Sequence, residues 1–472
     1  MIVRVITALP LKYITKKRKE ETKMKKFLAI VLALVMVVAL AAPAMADEKV
    51  TLNIGLANNP YSQGLYEVVQ KEFAKAGYDF DVNITVIPEA DLRSAQTLDA
   101  TTTGCTYDMF YVGPYEGFCW GAYGWMEDIA PYLDAMDAEK AAWYDKDDIF
   151  YGMLMSVADV DGHIWALPFY GESSFIMYNT ELFEKAGITM PENPTWDDIY
   201  ECAKAVDALG DDYTGIVMRS DSGWGNLGAA LGAMQDAFGC KYYDMDWNAC
   251  IDTPEFRNCW TMYKKLLTEC GPENLVGNSY NECVNLFLKG NVGIYYDATS
   301  LCGNFEAEGS PIKGKVGYAP APTQVDGGHS NWMWNWSMAI NPESEHKQEV
   351  FDFILWCTSK DYVQKAIELY PDGSIVPPAA RKSSYELDVI KALPYADATI
   401  AAVDAVDFTD PCVDEVPYVG AQYMAIVEFQ EMGDQFTQWV LEYLAGTMEL
   451  EDAIAKTQAL FEEIAEDGGY KD

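Results

Sequence analysis

The sequence predicts a two-lobe α/β protein, and three observations support this prediction. The chain has 472 residues, which exceeds the length of one ordinary domain. Half of the residues are hydrophobic and 13% are aromatic, which is sufficient for packed cores and argues against disorder. Strand-like and helix-like segments alternate from residue 50 onward, as they do where crossover helices connect parallel strands.

The first element is a predicted export signal at residues 1–46. A basic pair at 25–26 precedes an apolar run at 27–40, and the sequence A-M-A at 44–46 fits the small-x-small rule for cleavage. We therefore expect Met24 to be the true start and cleavage to follow Ala46. The alternative is an uncleaved membrane anchor, for which this run is short. Because no cysteine follows the run, we expect a periplasmic or extracellular protein without a lipid anchor.

The next elements read β–α–β–α–β. Residues 50–56 alternate between apolar and polar side chains, 64–76 have a helical period, and 80–87 and 107–112 are strand-like. This order implies a mainly parallel sheet, in which ligands bind at the carboxyl ends of the strands.

The remaining elements are an extended apolar segment at 164–179 and a set of helices. Gly187 is placed to end a short helix, and Thr195 with Asp198 forms a capping box for the next one. No internal repeat or low-complexity linker occurs, so extended crossings must join the two lobes. Helical periodicity in the last third covers 347–358, 361–369 and 451–465.

The charge excludes two classes of partner. The full chain has a formal charge of −40; residues 1–46 hold nine Lys/Arg and two Asp/Glu, so the chain from Asp47 keeps 24 basic and 71 acidic residues, a net of −47. A field of this sign repels nucleic acid and anionic lipid surfaces. The charge says little about a neutral ligand.

Cysteine and histidine spacing predicts no metal site and no cofactor. The eleven cysteines contain no C-x-x-C pair, and the three histidines are far apart. Two local pairs, Cys240–Cys250 and Cys259–Cys270, could close short disulfide loops, or the thiols are buried small apolar groups.

The chain resembles the extracellular solute-binding proteins of family 1, the maltose-binding-like group. Collinear motifs carry the resemblance over essentially the whole chain from residue 47: A-L-P-F-Y-G at 166–171, M-Y-N at 177–179, L-F-E-K-A-G at 182–187, P-T-W-D at 194–197, W-S-M-A-I-N at 336–341, E-V-F-D-F-I at 349–354 and T-S-K-D at 358–361.

A narrower resemblance is to the branch of that family that binds mannitol, sorbitol and related polyols. It rests on the stretches F-Y-G-E-S-S-F at 169–175, Arg219 with G-W-G at 223–225, F-G at 238–239 with Y-D-M-D-W at 243–247, Y-D-A-T at 296–299, N-W-M-W-N-W at 331–336, and V-P-Y-V-G at 416–420.

The resemblance implies a type II periplasmic-binding-protein fold, with discontinuous lobes, a hinge and a central ligand cleft. It implies an N-terminal lobe of 47–170 plus 320–358 and a C-terminal lobe of 171–319 plus 359–472. The implied function is to bind a small neutral polyol or sugar by hinged closure, as a monomer, and to deliver it to the membrane permease and ATPase of an ABC importer. The implied protein is not an enzyme.

Four residues are the main candidates for ligand contacts, because a polyol site needs charged groups for the hydroxyls and aromatic walls for the C–H faces. Glu172 follows Gly171 in the extended segment and either binds ligand or forms a hinge salt bridge. Arg219 either donates to vicinal hydroxyls or pairs with Asp221. Asp297 ends a strand-like run and either faces the cleft or caps a helix, and Trp224 lies between two glycines as a stacking wall.

Alternation along 331–336 places Trp332, Trp334 and Trp336 on one face, either in the core or with at least Trp334 on the ligand. The remaining candidates follow from loop position and from the resemblance: Asn58, Asn59, Tyr115, Glu116, Asn335 and Tyr418.

Two other functions compete with transport. A secreted glycoside hydrolase would need only a pair of carboxylates, but the chain has no G-x-S-x-G, H-E-x-x-H, phosphate-loop or dinucleotide motif. A surface or sensory carbohydrate-binding protein would use the same clamp without a permease.

Overall fold

The computed structural model describes residues 49–159, 161–373, 376, 378 and 380–471. The predicted export signal therefore lies outside the described residues. Among the described residues, no helix has both the length and the apolar character that a membrane span needs.

Within the described residues, nine strands form two mixed sheets, one in each lobe. The five-stranded sheet has the order β2-β1-β3-β9-β4, and the four-stranded sheet has the order β6-β7-β5-β8. The strands are β1 Val50–Ala57, β2 Phe80–Ile87, β3 Met109–Val112, β4 Leu167–Glu172, β5 Ser174–Asn179, β6 Thr214–Val217, β7 Val292–Ala298, β8 Val316–Ala319 and β9 Trp334–Ile340.

Helices cover the faces and edges of both sheets. They are α1 Pro60–Glu72, α2 Glu89–Thr102, α3 Pro114–Tyr123, α4 Ala130–Asp134, α5 Ala138–Tyr144, α6 Tyr151–Met155, α7 Thr180–Ala186, α8 Trp196–Asp207, α9 Ala229–Ala237, α10 Pro254–Cys270, α11 Tyr280–Phe287, α12 Cys302–Glu306, α13 Lys347–Cys357, α14 Lys360–Leu369, α15 Asp388–Lys391, α16 Ala396–Asp404, α17 Phe429–Leu444 and α18 Leu450–Asp467.

The parallel arrangement predicted for the first three strands is present: β1 pairs in parallel with both β2 and β3. The sheet is nevertheless mixed, because β9 returns from the second lobe and pairs antiparallel with β3 and β4. The carboxyl ends of β1, β2 and β3 lead into α1, α2 and α3, so the first turns of these helices lie at the edge of the sheet that faces the second lobe.

Two crossings between the lobes lie side by side. One is Ser173, the single residue between β4 and β5, and the other is the segment 320–333 between β8 and β9. The Ser173 carbonyl accepts from Thr299 N (2.8 Å), and the Asn331 amide donates to the carbonyl of Ser174 (2.9 Å). These bonds tie both crossings to the second sheet.

The chain does not leave the first lobe at 358, where the resemblance places the lobe boundary. The Ser359 hydroxyl caps α14 at Tyr362 N (3.1 Å) and turns the chain back along the first lobe, where Tyr362 packs on Phe169 (5.3 Å between ring centroids). Arg381 still donates to the carbonyl of Thr358 (2.6 Å), whereas Lys241 pairs with Asp414 in the second lobe. These contacts place α14 beside the first lobe, whereas the predicted boundary at 358 assigns it to the second; the lobe boundaries stay a prediction.

The eleven cysteines are free thiols in the structure. Cys259 and Cys270 both lie on α10, eleven residues apart, which places them about 16 Å apart along the helix axis. A disulfide needs Cα atoms within about 7 Å. Cys240 lies near the Cys259 thiol, and Cys250 donates to the carbonyl of Asn248 (3.4 Å), so neither of the two possible disulfide loops is present.

Candidate ligand-binding site

A cavity of about 760 Å³, part of it open to solvent, lies between the two lobes. Both lobes contribute to its wall, and so does the crossing at 320–333 through Trp332. The lining residues are Asn59, Pro60, Tyr61, Glu89, Arg93, Tyr170, Glu172, Arg219, Trp224, Gly225, Ala229, Tyr280, Ala298, Ser300, Leu301, Trp332, Trp334, Trp336 and Gln422.

Four tryptophans form the apolar part of the wall. Trp332, Trp334 and Trp336 lie at alternate positions along the crossing into β9, so all three face the cavity, as the alternation predicted. Gly113 makes room for this wall, because a Cβ at that position would lie 2.0 Å from the Trp334 ring. Trp224 faces Trp334 from the second lobe, with ring centroids 5.6 Å apart.

The position of Trp224 depends on an unusual turn. Gly223 has φ = 104°, a conformation that favours glycine, and the π-helical turn Trp224–Gly228 follows at once. The backbone N–H of Trp224 donates to the Asp434 carboxylate on α17 (3.0 Å). The turn and this bond together hold the indole ring against the cavity.

A buried ion pair fixes Arg219 in the wall of the second lobe. Its Nε donates to the Asp297 carboxylate (2.9 Å), and its Nη1 donates to the carbonyl of Gly225 (2.8 Å). Asp297 is fully buried and also accepts from the Tyr295 hydroxyl (2.8 Å). Arg219 therefore pairs with Asp297 and not with Asp221, and Asp297 lies behind the wall, holding the guanidinium that lines the cavity.

Glu172 lies at the end of β4, where the chain enters the second lobe, and its carboxylate accepts from the Ser300 hydroxyl. Burial raises the pKa of this carboxyl to about 7; the Ser300 hydroxyl and the Arg219 guanidinium act in the opposite direction, and the charge of Asp297 adds to the rise. Near neutral pH both forms of this carboxyl are therefore populated: the protonated form, which donates a hydrogen bond, and the ionised form, which only accepts.

Arg93 is the cation of the first lobe at the cavity. It pairs with Glu89 (3.1 Å between Nε and Oε1) and with Glu116, and its guanidinium lies 5.2 Å from the ring centroid of Trp224. The same group lies 5.5 Å from the Trp334 ring and 5.2 Å from the Trp336 ring. Its charge is therefore balanced by carboxylates and aromatic faces.

Two polar atoms at the cavity have no hydrogen-bond partner among the described residues. They are the Trp332 Nε1 donor and the Gln422 Oε1 acceptor, and both are buried. A buried polar atom without a partner is costly, so both atoms favour a ligand that carries donors and acceptors.

Of the predicted site residues, five line the cavity: Asn59, Glu172, Arg219, Trp224 and Trp334. Asn59 has a second role, because its side chain accepts from Ser62 N (2.9 Å) and caps α1.

Three residues of the first lobe that were predicted to contact ligand lie elsewhere. Asn58 is exposed and accepts from the Gln63 amide (2.8 Å). Glu116 pairs with Arg93 and accepts from Gly113 N (3.0 Å) at the start of α3. Tyr115 inserts into the second lobe, where its hydroxyl donates to the carbonyl of Val427 (3.0 Å). None of the three is among the residues that line the cavity, and their ligand contacts stay predictions.

Two further candidates also lie outside the cavity lining, and their ligand contacts stay predictions. Asn335 follows Trp334 in β9 and so points to the opposite face of the sheet, where its amide donates to the Ser156 hydroxyl (2.7 Å). The Tyr418 hydroxyl is buried in the second lobe, accepting from Tyr242 N (2.9 Å).

The sequence reasoning missed several lining residues, among them Tyr61, Glu89, Arg93, Tyr170, Tyr280, Ser300 and Gln422. A signal existed for two of them, since Glu89 follows the end of β2 and Ser300 follows the end of β7, where parallel strands place ligand contacts. Tyr61 and Ser300 meet only because the lobes close, with the Tyr61 hydroxyl donating to the Ser300 carbonyl.

The described part of the chain contains no group of three or more His, Cys, Asp or Glu side chains arranged to hold a metal ion. The lining itself offers hydrogen bonding by charged and amide groups beside aromatic faces, which suits a polyhydroxylated molecule.

Comparison with known proteins agrees with this architecture. The chain is 33% identical to the mannitol-binding protein of Pseudomonas aeruginosa over 424 residues, which cover 89% of this chain and 94% of that protein. It is 27% identical to the erythritol/L-threitol-binding protein of Mycolicibacterium smegmatis, over 71% of each chain.

A solved structure, the ABC transporter solute-binding protein of Agrobacterium vitis with bound D-mannitol, superimposes with a TM-score of 0.83 and 35% identity, covering 89% of this chain and 99% of that one. This likeness confirms the predicted two-lobe fold. The sequence profile of bacterial extracellular solute-binding proteins matches residues 58–364, which confirms a binding protein and not an enzyme. The chain belongs to the family of bacterial extracellular solute-binding proteins.

Proposed function

We propose that the chain is the substrate-binding component of an ABC importer that takes up a sugar alcohol of the mannitol, sorbitol or arabitol type, or a sugar. The observation that carries this proposal is the interlobe cavity, which Glu172 and Arg219 line together with a wall of tryptophans. Proteins that bind mannitol, and erythritol or L-threitol, are among the relatives of the chain.

The chemistry of the wall supports a polyol. A sugar alcohol presents hydroxyls, each of which donates and accepts, along a chain of C–H groups. Charged partners make the stronger hydrogen bonds to hydroxyls, which suits Glu172 and Arg219. The flat faces of Trp332 and Trp334 cover the C–H groups, and the unpaired Trp332 Nε1 and Gln422 Oε1 atoms supply one donor and one acceptor.

The charge of the cavity favours a neutral ligand. Each guanidinium at the wall already has a carboxylate partner, since Arg219 pairs with Asp297 and Arg93 with Glu89 and Glu116. The Glu172 carboxyl adds further negative charge when it ionises. An anionic sugar would therefore meet no uncompensated cation among these groups, and a buried charge without a partner is costly.

Binding follows from closure of the lobes. The open form exposes half of the site on each lobe, and a ligand that contacts both halves stabilises the closed form by its differential affinity. We propose that the protein acts as a monomer after export, and that its closed form delivers the ligand to a membrane permease with its ATPase.

Thermal unfolding of the chain from Asp47, with D-mannitol, D-sorbitol, D-arabitol, glucose, maltose and several amino acids, tests the ligand class. A ligand at a hundred times its Kd adds about 2.7 kcal/mol to the free energy of unfolding, which raises the Tm by a degree or more. We expect a polyol to give this shift and Trp332→Ala to abolish it.

Trp143→Ala is the matched control, because Trp143 lies on the first lobe and donates to Asp361 (2.9 Å) away from the cavity. This variant should keep the shift. A shift with glucose or maltose alone would show that the polyol class is wrong, and a shift with amino acids alone would contradict a carbohydrate ligand altogether.

A further inference from the structure

Tyr115 bridges the two lobes outside the ligand cavity. It lies in the first turn of α3, in the first lobe, yet its ring packs among aromatic side chains of the second lobe. The ring centroids of Trp224, Phe429 and Tyr423 lie 5.4, 6.1 and 6.5 Å from that of Tyr115. Tyr115 is only 3% exposed and is not among the described residues that line the cavity.

The hydroxyl of Tyr115 completes the contact. It donates to the carbonyl of Val427 (3.0 Å) and accepts from the backbone N–H of Gln430 (3.3 Å), at the start of α17. Both partners are backbone groups of the second lobe. These bonds, and the ring contacts, exist only while the lobes are closed, because their two sides belong to different lobes.

We propose that Tyr115 is a closure residue: it sets the stability of the closed form, and through it the affinity for ligand, without touching the ligand. In the open form the Tyr115 hydroxyl and the backbone groups at Val427 and Gln430 are free to bond with water. The contact therefore contributes to the difference in free energy between the open and the closed form. Its ring also packs behind Trp224, which lines the cavity, and so positions that wall. The choice of ligand for the test rests on the proposed polyol function.

Removing the hydroxyl gives a defined expectation. A buried hydrogen bond contributes enough to change an equilibrium constant by roughly tenfold, and loss of the ring removes the packing as well. We therefore expect Tyr115→Phe to raise the Kd for D-mannitol by about tenfold and Tyr115→Ala to raise it by about a hundredfold or more. The change should fall mainly on the dissociation rate, since closure retains the ligand after it has entered.

A closure residue has a signature that a ligand contact lacks. Because Tyr115 acts on the lobes and not on the ligand, Tyr115→Phe should weaken D-mannitol, D-sorbitol and D-arabitol by one common factor. A variant in the wall of the cavity, such as Trp332→Ala, should change the ratios between these ligands. A general loss of folding stability would leave all three Kd values unchanged well below the Tm.

Tyr243→Phe is the matched control. Its hydroxyl is also buried and donates to a backbone carbonyl, that of Phe461 (2.8 Å), but both residues belong to the second lobe. We expect this variant to lose stability without a change in Kd. Equal Kd values for the wild type and Tyr115→Phe would overturn the proposal while leaving the polyol function intact, and so would unequal factors for the three polyols.

A wild type that binds no polyol would contradict the proposed function, and the closure proposal is then tested without ligand. Small-angle X-ray scattering of the chain from Asp47 gives the radius of gyration. We expect a larger radius for Tyr115→Ala than for the wild type and for Tyr243→Phe, because the closed form is less populated. The same radius for all three proteins would overturn the role of Tyr115.

Discussion

The Glu172→Gln substitution tests the electrostatics of the cavity, because glutamine keeps the shape of the protonated carboxyl and cannot ionise. Burial raises the pKa of Glu172 to about 7, against 4.5 for an ordinary glutamate. The folded protein therefore holds this proton more tightly than the unfolded chain does. The contribution of the Glu172 carboxyl to the free energy of unfolding is fully present below pH 4.5. It is lost as the pH rises through 7.

The size of the loss follows from the two pKa values. One pKa unit corresponds to about 1.4 kcal/mol, and integration between pH 5 and pH 8 gives a loss of about 2.5 kcal/mol in the free energy of unfolding. Urea denaturation of the ligand-free protein at the two pH values measures it. We expect the wild type to lose about this much more stability than Glu172→Gln over the interval.

Glu273→Gln is the control for this experiment, since Glu273 is exposed. It should follow the wild type across the pH range. If Glu172→Gln shows the same pH dependence as the wild type, the carboxyl is not held protonated by burial and the reasoning fails.

The affinity for ligand should rise with pH, whereas the stability of the ligand-free protein falls. An ionised carboxylate makes stronger hydrogen bonds to hydroxyls than a neutral carboxyl does. With a pKa of about 7, roughly one tenth of Glu172 is ionised at pH 6 and nine tenths at pH 8. We expect D-mannitol to bind the wild type about tenfold more tightly at pH 8 than at pH 6, and Glu172→Gln to show no such change; weaker binding at pH 8 would contradict this assignment.

Three further predictions follow from the same structure. Asp297→Asn leaves the Arg219 guanidinium buried without its counter-charge and should lower the free energy of unfolding by about 3 kcal/mol. Asp252→Asn, at an exposed arginine pair, should lower it by less than about 1 kcal/mol. Equal losses would contradict the role of burial. D-Gluconate and D-mannitol 1-phosphate should bind at least about a hundredfold more weakly than D-mannitol in a titration at pH 8, because the guanidiniums are already paired, and comparable affinity would show a free cation. Thiol titration of the unfolded chain should find all eleven cysteines reactive, with exposed Cys105 first in the native protein, and a lower count would reveal disulfides.

The fold was predictable because its signals are local. Alternating apolar residues predicted β1, and strand-like runs predicted β2 and β3. The capping box at Thr195 predicted the start of α8, which the structure shows with the Thr195 hydroxyl accepting from Asp198 N (3.1 Å). Strand order and lobe boundaries are not local. The division of the lobes at 358 stays a prediction, because nothing in the sequence of α14 specifies which lobe it packs on.

The site was predictable only in part, for the same reason. Three predicted residues have unusual local sequence. Glu172 follows a glycine in an extended apolar segment, Trp224 lies between two glycines, and Trp334 lies in a run where tryptophans alternate. Arg93 resembles an ordinary helix-surface charge four residues after Glu89, and only closure of the lobes brings it against Trp224. Asn335 shows a different error: neighbours in a strand face opposite sides, so the alternation that placed Trp334 at the cavity already excluded Asn335.

Isothermal titration of the chain from Asp47 with D-mannitol tests the central claim most directly, because it reports both affinity and the number of sites. We predict one site per chain, binding that Trp332→Ala abolishes and Trp143→Ala preserves. Binding that survives Trp332→Ala unchanged, or heat from glucose or maltose with none from any polyol, would contradict a polyol site between the lobes.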